Sequence, residues 1–195
     1  TSRNPELKFQ YFTEAPVINS IIALETGHAI DAATLAQDQR LAPEVMRFLD
    51  VRYIVLRPEA GDKVRPYLET ILPDAKLWRE ENGVSVYRLD APSPAERGSV
   101  VQIDPKSPLA RLYFAEGWGE LGETRVWAQR SETRLLLLLS SSAQRITLRM
   151  LGQISRKVRL EVNGVIVGTY ETFDLERDYP FDIPSGVGRD GLNEV

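Results

Sequence analysis

Two Asn-Gly dipeptides constrain the fold of this chain more than any other feature. Asn82-Gly83 lies between the segment around Leu77 and the alternating run VSVYRL, and Asn163-Gly164 joins KVRLEV to VIVGTY. Asn-Gly between alternating apolar residues is a strong local indicator of a β-hairpin. At Asn163-Gly164 it predicts a type I′ turn, because both central positions of that turn need a positive φ.

A stretch rich in proline, serine and alanine, APSPAERGS at residues 91–99, predicts a linker. Helical and strand patterns mix before it, and nearly all patterns after it are strands. The chain is therefore predicted to be α+β. A small α/β domain is expected over residues 1–91, and an antiparallel, jelly-roll-like β-sandwich over residues 92–195.

Local patterns place the elements of both domains. The first domain is expected to hold a helix at LAPEVMRFLD with Pro43 in its first turn, a buried strand at VRYIVL ended by Pro58, and a second helix at DKVRPYLETILP. PVINSIIAL is compatible with a strand or a short helix, and ATLAQDQRL with an irregular or short helical segment. The second domain is expected to consist of the strands SVVQID, ARLYFAEG, TRVWAQ, RLLLLLS, QRITLRML, KVRLEVNG, VIVGTYE and YPFDIP, with RLLLLLS central and covered on both faces.

Composition excludes several classes of function. The net charge of -4 argues against a nucleic-acid surface, which is normally basic. The absence of cysteine excludes disulfides, thiolate nucleophiles and cysteine-bound zinc, and His28 as the single histidine excludes a histidine-rich metal site. The sequence contains neither GxxxxGK[ST] nor GxGxxG. No catalytic residue, metal site or cofactor is assigned.

The candidate binding residues lie in FAEGWGELGETRVWAQR. An indole face can stack on the apolar face of a sugar, while carboxylates and a guanidinium bind its hydroxyls. These residues form a tentative carbohydrate site: Trp118, Glu120, Glu123, Arg125 and Trp127. The alternative is that Trp127, on a strand, belongs to the sandwich core, and this is the favoured interpretation of Trp127. Trp118 is expected on a glycine-flanked loop.

Other charged residues have a functional and a structural interpretation each. Glu120 and Glu123 could form a glycosidase pair, but surface glutamates three residues apart are common. We expect Asp31 or the backbone to satisfy His28, and Asp50 or Glu44 to pair with Arg52. A basic set could meet anionic lipid, although a solvated sheet face is favoured: Arg145, Arg149, Arg156, Lys157 and Arg159.

Several short motifs resemble the extracytoplasmic regions of bacterial multi-pass membrane proteins. The first is a helix leading into Val51-Arg52-Tyr53-Ile54-Val55, followed by Val86-Tyr87-Arg88. The later motifs are Gly117-Trp118 with Glu123, then Trp127, Val162-Asn163-Gly164, Tyr179 to Pro184, and Gly191-Leu192-Asn193. From about Leu41 onward the chain is similar to GT-C-type glycosyltransferases, namely the dolichyl-phosphate-mannose mannosyltransferase-like and YfhO-like families.

This resemblance implies a membrane-anchored parent protein. The chain would be a C-terminal portion on the extracytoplasmic face of a bacterial membrane, with upstream transmembrane helices outside this sequence. A start at Thr1 rather than Met fits that expectation. The implied partners are the membrane domain of the same polypeptide and a glycan or lipid-linked sugar, and nucleic acid is not among them. Catalytic loops of the family have no match here, so the expected role is non-catalytic: binding or positioning a glycan acceptor. A purely structural module and, more remotely, a glycan hydrolase are the alternatives.

Overall fold

The computed structural model describes residues 12–89, 102–152 and 156–195. It has a mixed α+β fold, as predicted, and the chain divides into two compact units. The described residues of the first unit are 12–89 and 102–133, and those of the second are 134–152 and 156–195. The expected linker at residues 91–99 lies outside the described residues, so the predicted boundary after residue 91 stays a prediction.

The first unit contains four helices and five strands within its described residues. The helices are α1 (Ile18–Glu25), α2 (Ala32–Phe48), α3 (Pro58–Ile71) and α4 (Ala110–Tyr113). The strands are β1 (Tyr53–Leu56), β2 (Lys76–Glu81), β3 (Val84–Arg88), β4 (Trp118–Leu121) and β5 (Val126–Ala128).

An antiparallel three-stranded sheet in the order β1-β3-β2 organises the first unit. One face of this sheet packs against α3, because Ile54 and Tyr87 line a small pocket together with Leu68 of α3. Arg65 of α3 reaches the same face and donates hydrogen bonds to Ser85 Oγ (2.6 Å) and Tyr87 Oη (3.3 Å). Part of the core of the unit therefore lies between α3 and one side of the sheet, and α2 contributes further buried side chains, among them Val45 and Phe48.

The second unit consists of strand pairs within its described residues. Its strands are β6 (Leu136–Leu139), β7 (Arg145–Met150), β8 (Arg156–Val162), β9 (Val165–Thr172), β10 (Arg177–Asp182) and β11 (Gly191–Glu194). The antiparallel pairs are β7 with β10, β6 with β11, and β8 with β9. Phe181 and Val162 are fully enclosed in this unit.

Both predicted hairpins are confirmed. Strand β2 pairs with β3 around Asn82-Gly83, and β8 pairs with β9 around Asn163-Gly164. The two asparagines have φ of 51°, and Gly83 and Gly164 have φ of 77° and 80°. Positive φ at both central positions is the signature of the type I′ turn, whose twist matches that of the flanking strands.

The helices differ from expectation in three places, one of which is that α3 begins at Pro58 rather than Asp62. Helix α2 begins at Ala32 rather than Leu41, because Asp31 caps it by accepting a hydrogen bond from the backbone N–H of Thr34 (2.7 Å). Pro43 therefore lies inside the helix instead of in its first turn. The expected strand ARLYFAEG begins as the short helix α4, where Phe114 N–H donates to Ala110 O. PVINSIIAL, left open between strand and helix, contains α1.

Two expected burial patterns were wrong. Strand β1 was predicted to be buried, yet Tyr53 and Val55 are 50% and 57% exposed, since α3 covers only the opposite face. The leucine run is buried at residues 135–137 but half-buried at 138 and 139. Among the described residues its strand, β6, pairs with β11 alone and is not a central strand.

No helix in the described part of the chain is both long and apolar enough to cross a membrane.

Candidate carbohydrate-binding hairpin

The candidate residues lie on and around the hairpin formed by β4 and β5. Trp118 pairs with Ala128 and Leu121 pairs with Val126, with an irregularity in the register between the two pairs. Trp118 is the first residue of β4 rather than part of a loop. Its half-buried indole meets the ring of Phe114 edge-on at a centroid distance of 5.2 Å.

The two tryptophans point to opposite faces of this hairpin. Directly paired residues share a face and consecutive residues alternate, so Ala128 lies with Trp118 while its neighbour Trp127 lies on the other side. The side of Trp118 also carries the half-buried Leu121 and Val126. The structure therefore does not bring the two indoles together as one sugar platform.

The expectation that Trp127 belongs to the core was wrong. Its side chain is 44% exposed, because Val126, rather than Trp127, points to the half-buried side of β5. Alternation along a three-residue strand leaves the choice of inner face open, since Val126 and Trp127 are both apolar. The two tryptophans are therefore reversed relative to the prediction: Trp118 packs against Phe114, and Trp127 is exposed to solvent.

The exposed face of the hairpin brings two of the predicted residues together. The Arg125 guanidinium carbon lies over the Trp127 ring, 6.0 Å from its centroid. Gln129 follows on the same face, and a Cβ at Gly119 would stand only 2.7 Å from its amide nitrogen, so the glycine leaves room for this side chain. Sequence reasoning missed Gln129, although its spacing of two residues from Trp127 marks it as a neighbour on the same face.

The two glutamates take separate positions on the hairpin. Glu120 lies on β4, and Glu123 lies in the connection closed by the hydrogen bond from Gly122 N–H to Arg125 O (3.1 Å). Both are exposed. A glycosidase needs one carboxyl group that stays protonated, and burial beside apolar groups is the usual means to that end. Exposed carboxylates are better suited to accepting hydrogen bonds from sugar hydroxyls than to transferring protons.

Several of the other residues considered from the sequence have structural partners. His28 Nδ1 meets Thr26 Oγ1 at 3.0 Å instead of Asp31, whose carboxylate caps α2. Arg52 pairs with Asp50 at 3.2 Å, as one of the two expected partners. In the basic set, Arg145 pairs with Asp182 at 2.8 Å and Arg149 with Asp178 at 2.7 Å across the β7–β10 ladder. That sheet face therefore carries paired charges.

A buried carboxylate in the first unit was missed. Asp38 of α2 is 2% exposed and accepts hydrogen bonds from Val17 N–H (3.0 Å), Ser20 Oγ (2.5 Å) and Tyr67 Oη (2.8 Å). Burial, reinforced by the bond to Asp38, raises the pKa of Tyr67 above its ordinary value. The three donors come from the α1 region and α3, so the carboxylate joins three helical segments. An aspartate in a polar-looking run, AQDQR, gives no sequence signal of this burial.

A second polar cluster ties α3 to the sheet. Glu80 Oε1 accepts hydrogen bonds from Ser85 Oγ (2.7 Å) and Arg65 (3.1 Å), and Glu69 accepts one from Tyr87 Oη (3.1 Å). The Ser85 hydroxyl, followed by the Arg65 guanidinium, lowers the pKa of Glu80. Burial is the main cause that raises the pKa of Tyr87. Two residues of this cluster, Glu69 and Tyr87, also line a pocket of about 50 Å³. Its other lining residues are Ile54, Leu68, Leu72, Pro73 and Ala75.

The second cluster has no ligand site of ordinary size beside it in the described residues. The pocket beside Tyr87 is well below the roughly 300 Å³ at which small-molecule sites begin. Within the described ranges, no three histidine, cysteine, aspartate or glutamate side chains are grouped so that they could hold a metal ion. The exposed face of the β4–β5 hairpin presents an exposed indole beside a guanidinium.

Comparison with known proteins yields no match: the sequence fits no family model and has no significant similarity to a curated protein or a solved structure.

Proposed function

We propose that this chain is a non-catalytic module that binds or positions a glycan through the exposed face of the β4–β5 hairpin. The observation that carries the proposal is Trp127, which presents an exposed indole with Arg125 over it and Gln129 beside it. An indole supplies an apolar stacking surface, while the guanidinium and the amide supply donors for hydroxyl groups. Glu120 and Glu123 add acceptors at the edge of the hairpin.

The resemblance to GT-C-type glycosyltransferases supplies the context for this proposal. In that context the module stands on the extracytoplasmic face of a bacterial membrane, and its partners are the membrane domain of the same polypeptide and a lipid-linked or acceptor glycan. The second unit is proposed to be a jelly-roll-like sandwich. Support comes from the contact of β9 with β10, where Tyr170 packs on Phe181 at 4.9 Å and a Cβ at Gly168 would stand 2.9 Å from the Phe181 ring.

Calorimetric titration with neutral and acidic oligosaccharides tests the glycan proposal. We expect binding by the unaltered chain in the millimolar range, and about a two- to ten-fold loss for Trp127→Ala, since stacking on one aromatic ring contributes about 0.5–1.5 kcal/mol. Arg125→Gln is expected to weaken binding less. Trp78→Ala is the matched control, because it removes another exposed tryptophan of the same unit.

Two results would contradict the glycan proposal. One is the absence of heat with every sugar at millimolar concentration. The other is equal weakening by Trp127→Ala and Trp78→Ala, which would indicate non-specific contact with exposed indoles.

A structural module without sugar binding is the second candidate. It is favoured by the positions of two motifs from the resemblance, since Asn163 of VNG and Asn193 of GLN meet side chain to side chain at 2.8 Å. Asn193 is fully buried, and its role is to hold strands together. These two motifs of the resemblance thus serve packing in the second unit, whereas Trp127, another of its motifs, is exposed.

A further inference from the structure

The three-stranded sheet of the first unit has one face that is turned away from α3. We call it the open face and define it by seven residues: Tyr53, Val55, Lys76, Trp78, Arg79, Val86 and Arg88. The register assigns these residues to one side. Tyr53 pairs with Arg88, which pairs with Lys76, and Val55 pairs with Val86, which pairs with Arg79. Directly paired residues point to the same face of a sheet.

Trp78 joins this face through an irregularity in β2. The register shifts between Leu77 and Arg79, so Trp78 is the extra residue of the strand. Its ring reaches that of Tyr53, with 5.5 Å between the centroids, although β3 lies between their strands. The bulge therefore places a second aromatic ring across the sheet from Tyr53.

The open face is unusually apolar for an exposed surface. Trp78 is 61% exposed, and Tyr53 and Val55 are both at least half exposed. A cluster of adjoining, exposed apolar side chains marks an interaction surface more often than single exposed residues do. Tryptophan and tyrosine together are enriched where one end of the side chain meets an apolar phase and the other meets water.

Cations surround these aromatic residues. Lys76 and Arg88 are exposed and lie in the same row as Tyr53, and Arg79 lies in the next row. Glu81 lies two residues after Arg79 on the same face and forms an ion pair with it, so this face carries three cations and one carboxylate. The face therefore has a net positive charge, while the whole chain has a net charge of -4.

We propose that the open face docks on an anionic lipid surface, with Trp78 and Tyr53 in the headgroup region and Lys76 and Arg88 at the lipid phosphates. Charge complementarity and composition favour a bilayer over a protein. Tryptophan and tyrosine are enriched at membrane interfaces as well as at protein–protein interfaces, but lysine is depleted from protein–protein interfaces. A second copy of this chain docked face to face would bring like charges together, which is destabilising.

Vesicle flotation tests this docking surface. The full 195-residue chain is mixed with phosphatidylcholine vesicles that either contain or lack phosphatidylglycerol. We expect binding to the anionic vesicles alone, and weaker binding as salt is raised, because salt screens exposed charges. Neutralising two cations in Lys76→Gln/Arg88→Gln should lower the partition coefficient about 30-fold, from roughly 1 kcal/mol for each basic residue near the surface.

A matched variant separates the open face from charge in general. Arg156→Gln/Lys157→Gln removes the same charge from exposed positions of β8 in the second unit, and it should bind as the unaltered chain does. Trp78→Ala tests the aromatic contribution and should weaken binding at constant charge. Circular dichroism verifies that all variants fold.

Three outcomes would overturn the docking proposal. The first is no binding to anionic vesicles at low salt, and the second is equal loss in the two double variants. The third is concentration-dependent self-association in analytical ultracentrifugation that Trp78→Ala abolishes, which would assign the face to a second copy of the chain. None of these results bears on sugar binding at Trp127, so the two proposals succeed or fail separately.

Discussion

Asp38 shows how one residue can hold several helical segments in place. Its carboxylate accepts three hydrogen bonds, and one of them comes from Val17. Val17 has φ of 70° and ψ of -53°, and the carbonyl of Pro16 accepts a hydrogen bond from Ile18 N–H (2.8 Å). These are the features of a γ-turn with a positive φ, a conformation that costs about 1–3 kcal/mol at a residue other than glycine. The bond to Asp38 offsets part of that cost.

Replacing Asp38 with Asn should therefore destabilise the first unit. The amide keeps one acceptor oxygen but loses the negative charge that attracts the Ser20 and Tyr67 hydroxyls. Hydrogen bonds to a charged group contribute about 1.5–3 kcal/mol each, so we expect a loss of about 2–4 kcal/mol in the free energy of unfolding. Urea denaturation at neutral pH measures it.

Asp31→Asn provides the control for Asp38. It is the same substitution at an exposed cap of the same helix, where asparagine performs as well as aspartate. We expect little change from it. Equal effects of the two substitutions would show that the buried network contributes nothing beyond the removal of charge.

At the scale of elements, the two type I′ hairpins share a backbone but differ in what their asparagines contact. Asn163 donates to Asn193 Oδ1 and to Val187 O (2.9 Å), and its own Oδ1 accepts from Glu194 N–H (3.2 Å). Asn193 in turn donates to Arg189 O (2.9 Å). The β8–β9 turn is therefore joined by side chains to β11, which lies about thirty residues later in the chain.

A double-mutant cycle with Asn163→Gly and Asn193→Ala should measure this connection. Glycine keeps the positive φ of the turn while removing the side chain. We expect Asn193→Ala to cost about 1–3 kcal/mol, because it removes the hydrogen bonds to the backbone of Arg189 and Gly191. The two substitutions should couple by about 0.5–3 kcal/mol in the free energy of unfolding.

The other hairpin supplies the matched control. Asn82→Gly makes the same change at a turn with the same φ of 51°, and we expect it to be nearly neutral. Additive effects of Asn163→Gly and Asn193→Ala would contradict the proposed connection between turn and strand.

The sequence predicts these elements well where local chemistry decides them. A type I′ turn requires a positive φ at its two central positions, and Asn-Gly adopts that conformation readily. This local preference was enough to locate both turns. Local pattern fails where a tertiary contact decides: the helical segment before Leu41 forms because Asp31 caps it and Asp38 is bound from α1 and α3. The exposure of Trp127 likewise depends on which side of a three-residue strand is covered, which alternation alone does not specify.

At the scale of the whole molecule, the α+β class follows from a mixture of 3.6-residue and two-residue periodicities, and it was predictable. The pairing of strands was not, since β7 pairs with β10 and β6 with β11 over long stretches of sequence. The sequence predicted which segment carries the candidate site, but it did not predict which face of the hairpin is exposed. Periodicity identifies the residues that share one side of a strand. Whether that side is buried depends on residues from distant parts of the chain that pack against it.

Carboxylates with lowered pKa values occur in both units, so acid should destabilise the whole chain. The Ser85 hydroxyl, then Arg65, lowers the pKa of Glu80 in the first unit, and Arg149 lowers that of Asp178 in the second. A carboxylate whose pKa is lower in the folded state stabilises the fold above its unfolded pKa, which is about 4. That contribution disappears as the pH falls through the lower, folded value.

Two substitutions test this acid response, one in each unit. We expect Glu80→Gln and Asp178→Asn to lower the free energy of unfolding at pH 7, and the difference from the unaltered chain to shrink as the pH drops below about 4, where the native carboxyls are protonated as well. Denaturant titrations across the acid range measure it. Glu120→Gln, at an exposed carboxylate of the β4–β5 hairpin, is the control and should leave the free energy of unfolding at pH 7 nearly unchanged. A difference in the free energy of unfolding between Glu80→Gln and the unaltered chain that stays constant down to pH 2 would contradict this prediction. Protonation of Glu80 would then leave the contribution of its bonds to Ser85 and Arg65 intact, so that contribution would not depend on the negative charge.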